Sequence, residues 1–257
     1  MNNGKDTAEA FMRLVNIMND LREKCPWDKK QTIETLRNLT IEETYELGDA
    51  ILNQDYKGIK EEIGDLMLHL LFYARIGAEQ NEFTLADALN QVCEKLIHRH
   101  PHVYGNVSVA DDTEVKQNWE KLKLKEGKKS VLAGVPDSLP AMVKSYRMQE
   151  KTKQVGFEWD TKEQVWAKVQ EELAELQESI VENHPHSHVE EEFGDVLFAL
   201  INYGRFIGVE AETALERINK KFKTRFEYIE KNAAKSLTDM SLDEMDSLWN
   251  EAKKNGL

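Results

Sequence analysis

The sequence has few cysteines and prolines and no long apolar run, and each shortage excludes a class of protein. Its two cysteines, Cys25 and Cys93, form neither a CxxC motif nor a disulfide framework. No stretch approaches the ~20 apolar residues of a membrane helix, and the first residues lack the apolar core of a secretory signal. We therefore expect a cytoplasmic protein without a membrane partner.

Basic residues are also in short supply. The chain has 34 Lys and Arg against 47 Asp and Glu, a formal charge of -13. Binding to a nucleic acid polymer normally needs a clustered basic surface, so we expect no such partner. A phosphate-binding loop of the GxxxxGK[ST] kind is absent, which excludes the common ATPase classes. A small anion chelated by a metal remains compatible with this composition.

Apolar residues recur with a period of 3.6 and proline is nearly absent from the long segments, which predicts an all-α fold. The predicted helices span 7–23, 31–53, 58–80, 84–99, 112–126, 140–153, 162–182, 187–207, 210–232 and 241–254. Glycines and prolines punctuate the segment around 127–139. We therefore expect an N-terminal domain at 1–126, a linker at 127–139 and a C-terminal domain at 140–257.

An acidic pattern occurs twice. The first block recurs at an offset of 129, as Glu42, Glu43 and Glu46, then Glu171, Glu172 and Glu175. The second recurs at an offset of 130, as Glu62 and Asp65, then Glu192 and Asp195. Residues three or four apart share a helix face, so carboxylates gather there and repel each other. Oxygen ligands of this kind favour Mg²⁺ over zinc, and Mn²⁺ should be able to replace Mg²⁺.

Cations and tryptophans follow each acidic pattern. The repeated pairs are Lys95 with Arg99 and Trp119 with Lys123, then Lys221 with Arg225 and Trp249 with Lys253. Each pair is spaced i, i+4, so both side chains leave one helix face. Carboxylates that hold a metal, together with such cations, suit a metal polyphosphate.

These features together resemble the MazG family of nucleoside triphosphate pyrophosphohydrolases. The resemblance rests on the EExxE and ExxD blocks, the tandem repeat, Cys25-Pro26-Trp27-Asp28 and Arg99-His100-Pro101-His102-Val103. It implies two tandem helical domains, each contributing to a four-helix-bundle type of assembly, and a homodimer. It also implies Mg²⁺-dependent hydrolysis of NTPs or dNTPs to the monophosphate and pyrophosphate, with nucleotide-pool sanitising as a role.

The resemblance also implies roles for individual residues. The metal ligands would be Glu172, Glu175, Glu192 and Asp195, with Glu43, Glu46, Glu62 and Asp65 in the first half. The nucleotide would contact Lys168, Glu171, Glu191, Lys221, Arg225, Trp249 and Lys253, or Lys95, Arg99, Trp119 and Lys123 in the first half. Glu171 or Glu42 would accept the proton of the attacking water, beside the catalytic carboxylates Glu172, Glu175, Glu43 and Glu46.

Other interpretations of the same residues stay open. The acidic blocks also fit solvated helix faces, the cation pairs fit surface ion pairs, and the tryptophans fit packing anchors. One or both halves could serve as a nucleotide-sensing or partner-binding module. Di-iron chemistry is disfavoured, because neither Glu62 nor Glu192 is followed by histidine at the Glu-x-x-His spacing.

Two further features of the second half are a lysine before its first acidic block and a histidine-rich segment between its two acidic helices. The second half has Lys168 where the first has Asn38 or Leu39, which favours the second half as the more active one. The segment from His184 to His188 is interpreted as a surface turn between the two acidic helices.

Overall fold

The structure, a computed structural model, describes residues 4–111, 114–115, 118–119 and 130–257. Within these ranges every regular element is helical, so the all-α prediction is confirmed. The helices are α1 (Gly4–Lys24), α2 (Ile33–Leu52), α3 (Tyr56–Glu79), α4 (Leu85–Arg99), α5 (Pro101–Tyr104), α6 (Ala141–Lys153), α7 (Lys162–Val181), α8 (His186–Phe206), α9 (Ala211–Asn232) and α10 (Leu242–Lys254). Single 3₁₀ turns occur at Asp28–Lys30 and Leu237–Asp239.

The predicted helix limits agree with nine of these helices to within three residues. Most of the helix predicted at 112–126, and residues 127–129 of the predicted linker, lie outside the described residues. The sequence missed α5, whose first residue is Pro101, because proline at the first helical position has a compatible φ and needs no N–H partner. The histidine tract is only partly a turn, since His186 and His188 belong to the first turn of α8.

The chain divides into two compact units, Met1–Ala110 and Asp111–Leu257. The first contains α1 to α5 and the second contains α6 to α10. The limits drawn from sequence, 1–126 and 140–257 with a linker between, stay a prediction.

In the first unit, α2 and α3 form a helical hairpin whose polar ends are well defined. Thr32 caps the start of α2 in a reciprocal capping box, and Asp55 accepts hydrogen bonds from two backbone N–H groups at the start of α3. Helix α1 packs against α3. The core consists of five buried side chains, Met18, Leu36, Leu71, Phe72 and Ile76. This packing fixes the faces of α2 and α3 that carry the carboxylates.

The second unit repeats this hairpin with α7 and α8, and adds α6, α9 and α10 around it. Thr161 caps α7 in another reciprocal box. The fully buried positions of α7 are Val165 and Val169, one helical turn apart, and Glu172 follows them on the same face. The carboxylate of Glu172 is therefore held by the turn that anchors α7 in the core.

Among the described residues, no helix combines the length and the apolar character that crossing a bilayer requires.

Candidate metal and nucleotide site

In the first unit, α2 and α3 bring three of the predicted carboxylates together. Oxygen atoms of Glu43, Glu62 and Asp65 all lie within 4.8 Å of one another. Glu46, one turn after Glu43, is exposed and lies outside this trio. Glu42 is exposed as well. The trio has the spacing of a site for one cation with oxygen ligands.

The electrostatics of this trio are unfavourable without a cation. Burial raises the pKa of Glu43, and the nearby carboxylates of Asp65 and Glu46 raise it further. Burial also raises the pKa of Glu62, with the adjacent Glu43 carboxyl as the next cause. Within the described residues, Glu62 Oε2 is buried and has no hydrogen-bond partner. A bound cation would provide the missing partner for this buried oxygen.

The second unit assembles the matching trio. Oxygen atoms of Glu172, Glu192 and Asp195 lie within 4.8 Å of one another. Glu172 is 8% exposed, and Asp195 faces solvent. Glu175 lies outside the trio, but a hydrogen bond with the Glu172 carboxyl raises the pKa of Glu175. The fourth predicted ligand therefore lies beside the cluster.

Lys168 distinguishes this second cluster from the first. Its Nζ lies 2.8 Å from Glu172 Oε1 and donates a hydrogen bond to Glu171 Oε1 at 2.5 Å. These two bonds raise the pKa of Lys168 well above its usual value, so the ammonium stays charged. The cation partly neutralises one metal ligand and also holds the predicted proton acceptor, Glu171.

Histidine contacts the second trio from the start of α8. His188 Nδ1 lies 3.5 Å from Glu192 Oε1 and 3.9 Å from Glu191 Oε2. Glu191 itself is exposed. The His184 and His188 rings stack with centroids 4.7 Å apart. The tract therefore borders the cluster from α8, although the sequence alone suggested a simple turn.

A cavity of about 490 Å³ opens beside the second trio. Glu172, Asp195 and Lys168 contribute to its wall, together with side chains from α6, α8 and the segment between α6 and α7. The other lining residues include Gln149, Phe157, Trp159, Phe198, Ala199 and Asn202. The volume is within the range of about 300–1,000 Å³ that is usual for small-molecule sites.

An ion-pair network supports the cavity wall. Arg205 donates to Glu158 through two bonds of 2.7 and 2.5 Å and to Asn202 Oδ1 at 2.8 Å. Only 5% of the Arg205 side chain is exposed. A bidentate, buried pair of this kind fixes both partners. The segment that carries Phe157 and Trp159 is thereby fastened to α8.

Apart from Lys168, the predicted cations and the tryptophan of the second unit have other neighbours than its trio in the described part of the chain. In the second unit, Arg225 lies over the ring of Trp249 with Cζ 5.3 Å from its centroid, and Phe222 packs against the same ring. Lys221 and Lys253 are exposed. The structure thus brings Arg225 and Trp249 together but leaves both lysines directed to solvent.

The corresponding residues of the first half are described less fully. Lys95 is exposed, whereas Arg99 and Trp119 are half-buried. Lys123 lies outside the described residues. Their predicted contacts with a nucleotide stay a prediction.

Sequence reasoning missed the lining of the cavity. Gln149, Phe157 and Asn202 belong to no motif, and their contribution depends on how α6 packs against α8. One signal was available, because the repeat places Ala199 opposite His69 and Asn202 opposite Phe72 at the offset of 130. Loss of bulk at two neighbouring positions of one helix indicates a cavity.

The fold and these trios define a class, helical-hairpin proteins with carboxylate sites built on a tandem repeat. The sequence profile described as "MazG nucleotide pyrophosphohydrolase domain" matches this chain twice, at residues 31–104 and 160–229. Each match includes one helical hairpin and its trio.

Full-length relatives agree with this match. The nucleoside triphosphate pyrophosphohydrolase of Escherichia coli (strain K12) is 37% identical over 256 residues, covering 94% of this chain and 96% of that protein. The nucleoside triphosphate pyrophosphohydrolase/pyrophosphatase MazG of Thermotoga maritima is 40% identical, covering 97% and 98%. A Bacillus subtilis (strain 168) protein, YabN, is 44% identical over 95% of this chain and 52% of its own length. The chain belongs to the MazG family.

Proposed function

We propose that this protein hydrolyses nucleoside triphosphates, ribo or deoxy, to the monophosphate and pyrophosphate in a Mg²⁺-dependent reaction, and that the second unit performs most of it. The observation that carries this proposal is the cavity of about 490 Å³ bordered by Glu172, Asp195 and Lys168. It combines metal-ligating oxygens, a fixed cation and space for a nucleoside in one place. Membership of the MazG family supports the same activity.

The carboxylate trios fit a hard divalent cation. Each trio gathers three carboxylate oxygens within 4.8 Å of one another, and in the first trio the pKa of Glu43 is raised and Glu62 Oε2 has no hydrogen-bond partner among the described residues, which supports a cation ligand set. When bound, Mg²⁺ would supply charge neutralisation for the phosphates and activation of water, and Mn²⁺ should replace it. Glu175 and Glu46 are proposed as additional ligands, since each adjoins its trio.

The chain's own residues have separate tasks in this proposal. Lys168 is proposed to bind phosphate oxygens, and its position as a charged ammonium 2.8 Å from Glu172 Oε1 supports this role. An in-line attack by water breaks the bridge between the α and β phosphorus atoms, and pyrophosphate leaves. Glu171 accepts the proton of that water once its bond to Lys168 is given up to the phosphates. Glu42 has the equivalent position in the first unit.

We also propose that the exposed cations complete the nucleotide site in a homodimer. The second unit exposes two apolar stripes, Phe193, Leu197 and Leu200 on α8, and Leu215, Ile218 and Phe222 on α9. The first unit exposes matching stripes, Ile63, Met67 and Leu70 on α3, and Leu89, Val92 and Leu96 on α4. Apolar stripes at helical spacing normally pack against other helices.

A second copy of the chain is the proposed partner for these stripes. Their burial would place α9 and α10, with Lys221, Arg225, Trp249 and Lys253, against a carboxylate site. Glu191, exposed beside the second trio, is a proposed nucleotide contact there. Sedimentation at micromolar concentration tests the dimer, and a fully active monomer would refute it.

A different function is proposed for the first unit. His69 and Phe72 occupy the positions that Ala199 and Asn202 hold in the second unit, and both are buried. We propose that the first trio binds a cation and contributes little or no nucleotide turnover, so that the first unit serves mainly as a sensing or partner-binding module.

The setting is proposed to be the cytoplasm. Cys25 and Cys93 are both free thiols, which suits a reducing compartment. Product analysis tests the whole proposal. Incubation of the purified chain with NTPs and Mg²⁺ should release pyrophosphate and monophosphate in equal amounts, and chelator should stop the reaction. Release of orthophosphate alone, or activity unchanged by excess chelator, would refute it.

A further inference from the structure

Two residues that line the cavity of the second unit have a buried polar atom without a hydrogen-bond partner among the described residues, the donor Arg205 Nε and the acceptor Gln149 Oε1. Gln149 lies on α6, is 6% exposed and donates from Nε2 to the Phe198 carbonyl oxygen at 2.9 Å. Because a carbonyl oxygen only accepts hydrogen bonds, this contact fixes which end of the amide faces Phe198. Gln149 Oε1 is the other end. It is buried, and no partner for it exists within the described residues.

A buried acceptor without a donor is costly, and most such atoms in folded proteins are satisfied. Gln149 lines the same cavity as Glu172 and Asp195. A nucleotide whose phosphates are held at the carboxylate trio therefore has its nucleoside within reach of this cavity wall. A donor on the ligand would satisfy Gln149 Oε1.

The surroundings of Gln149 suit a flat, polar-edged ring. Phe157 is 80% exposed and Trp159 is 45% exposed, and both line the cavity. A base stacked on either ring would cover apolar surface that is now in water. Asn202 adds a donor, because its Oδ1 accepts from Arg205 and its Nδ2 faces away from that bond.

We propose that Gln149 reads the exocyclic amino group of the base, so that the cavity selects amino bases, adenine and cytosine, over their keto counterparts, hypoxanthine and uracil. This inference rests on the proposed function of the second unit. An amino group projects beyond the ring and reaches a buried acceptor. A keto oxygen at the same position would face Gln149 Oε1, and two acceptors cannot form a hydrogen bond. The Gln149 side-chain amide cannot rotate by 180° to present its NH₂ group without losing the hydrogen bond to Phe198.

The experiment compares substrates that differ only at this group. The kcat/KM for pyrophosphate release is measured for ATP against ITP and for CTP against UTP, in the wild type, in Gln149→Met and in Gln177→Met. Gln177 is an exposed α7 residue outside the cavity lining and serves as the matched control. Calorimetric binding of AMP and IMP gives a second readout that does not depend on turnover. Circular dichroism checks that each variant is folded.

The wild type and Gln177→Met should prefer the amino base by about 10- to 100-fold within each pair, because the alternative leaves a buried acceptor unpaired. Gln149→Met should reduce this preference to less than about 3-fold by lowering the rate for ATP and CTP. AMP should bind the wild type more tightly than IMP by a similar factor.

Equal use of both members of each pair by the wild type would overturn the inference, even if Gln149→Met failed to fold. An amino preference that survives in folded Gln149→Met would overturn it as well. Failure of the proposed function gives a different result, which is no pyrophosphate from any of the four nucleotides.

Discussion

The two units have the same carboxylate trio but surround it differently. On α3 of the first unit, His69 and Phe72 are buried and fill the space behind the trio. On α8 of the second unit, Ala199 and Asn202 hold these positions and line the open cavity. Two repeats can therefore keep the same arrangement of carboxylates and differ in their binding sites. The size of the side chains behind the carboxylates decides whether a nucleoside can fit beside them.

The polar contacts behind the two trios differ as well. In the first unit, Thr40 Oγ1 lies 3.3 Å from His69 Nδ1 and 2.7 Å from the Tyr73 hydroxyl, so these groups satisfy each other. In the second unit, Val169 replaces Thr40 and has no hydroxyl to bond to Tyr203, the counterpart of Tyr73. The ring of Tyr203 packs against Trp166 instead, with centroids 4.9 Å apart. The first unit is therefore closed by a hydrogen-bonded group.

The largest expected difference between the units concerns the carboxylates themselves. Glu172→Gln should lower kcat by at least about 100-fold, because it removes a ligand charge at the proposed catalytic cation. Glu43→Gln, the matched change in the first unit, should leave kcat within about 3-fold of the wild type. Steady-state pyrophosphate release measures both variants. Equal losses would mean that both units turn over substrate or that they are coupled.

Filling the cavity should have the next largest effect. Ala199→His places the first unit's side chain in the second unit and should lower kcat/KM by about 10- to 100-fold, mainly by obstructing nucleoside binding. The reciprocal His69→Ala should leave turnover within about 2-fold, although it removes the contact with Thr40. Thermal unfolding controls for damage to the core. An Ala199→His variant with normal kcat/KM would show that the nucleoside lies elsewhere.

Exchange of the lysine should have a smaller effect. Leu39 of the first unit corresponds to Lys168 of the second and packs against the core of the first unit. The Lys168→Leu variant therefore gives the second unit the residue of the first. It should lower kcat by about 10-fold, since one of several cations proposed at the phosphates is lost. Lys168→Arg keeps the charge and should retain more activity than Lys168→Leu. If both variants lose activity equally, charge is not what Lys168 contributes.

The smallest expected effect is on stability and depends on pH. The pKa values of Glu43, Glu62 and Glu175 are raised in the folded protein. Without metal, these carboxyls favour the folded state below the unfolded pKa of about 4.3, and this contribution is lost as pH rises through the raised values. Mg²⁺ should therefore raise the melting temperature more at neutral pH than near pH 5.

This stabilisation also separates the two units. Among the described residues, no lysine or arginine pairs with the first trio, whereas Lys168 pairs with the second. Glu43→Gln should therefore remove more of the Mg²⁺-induced rise in melting temperature than Glu172→Gln does. Scanning calorimetry with Mg²⁺ and with chelator provides the measurement. A rise that is independent of pH would contradict the assignment of these carboxyls as ligands.

Much of the fold followed from sequence because helical periodicity and caps are local signals. Thr32 and Thr161 begin α2 and α7 in capping boxes, and the predicted limits of both helices were close. Four carboxylates were predicted to gather in each half, and three of each set do lie close together, because an i, i+3 pair on one helix faces a glutamate of the preceding helix. The ligand roles of all eight carboxylates stay predictions, and Glu46 and Glu175 lie outside the trios because helical spacing gives a shared face but not the direction of a side chain.

The cavity could not be predicted in the same way. Gln149 and Phe198 are 49 residues apart, and their contact depends on the packing of α6 against α8. Likewise, Phe157 and Trp159 lie outside the helices and are positioned by the pair between Arg205 and Glu158. Tertiary contacts of this kind leave no periodic pattern in a single sequence.

The most direct test of the account is the number of nucleotides that bind one chain. Calorimetric titration of the wild type with AMP should give one site per chain, and Ala199→His should abolish it, whereas Glu43→Gln should leave it unchanged. Two equivalent sites per chain, or binding that survives Ala199→His and is lost in Glu43→Gln, would contradict the claim that only the second unit accommodates a nucleoside.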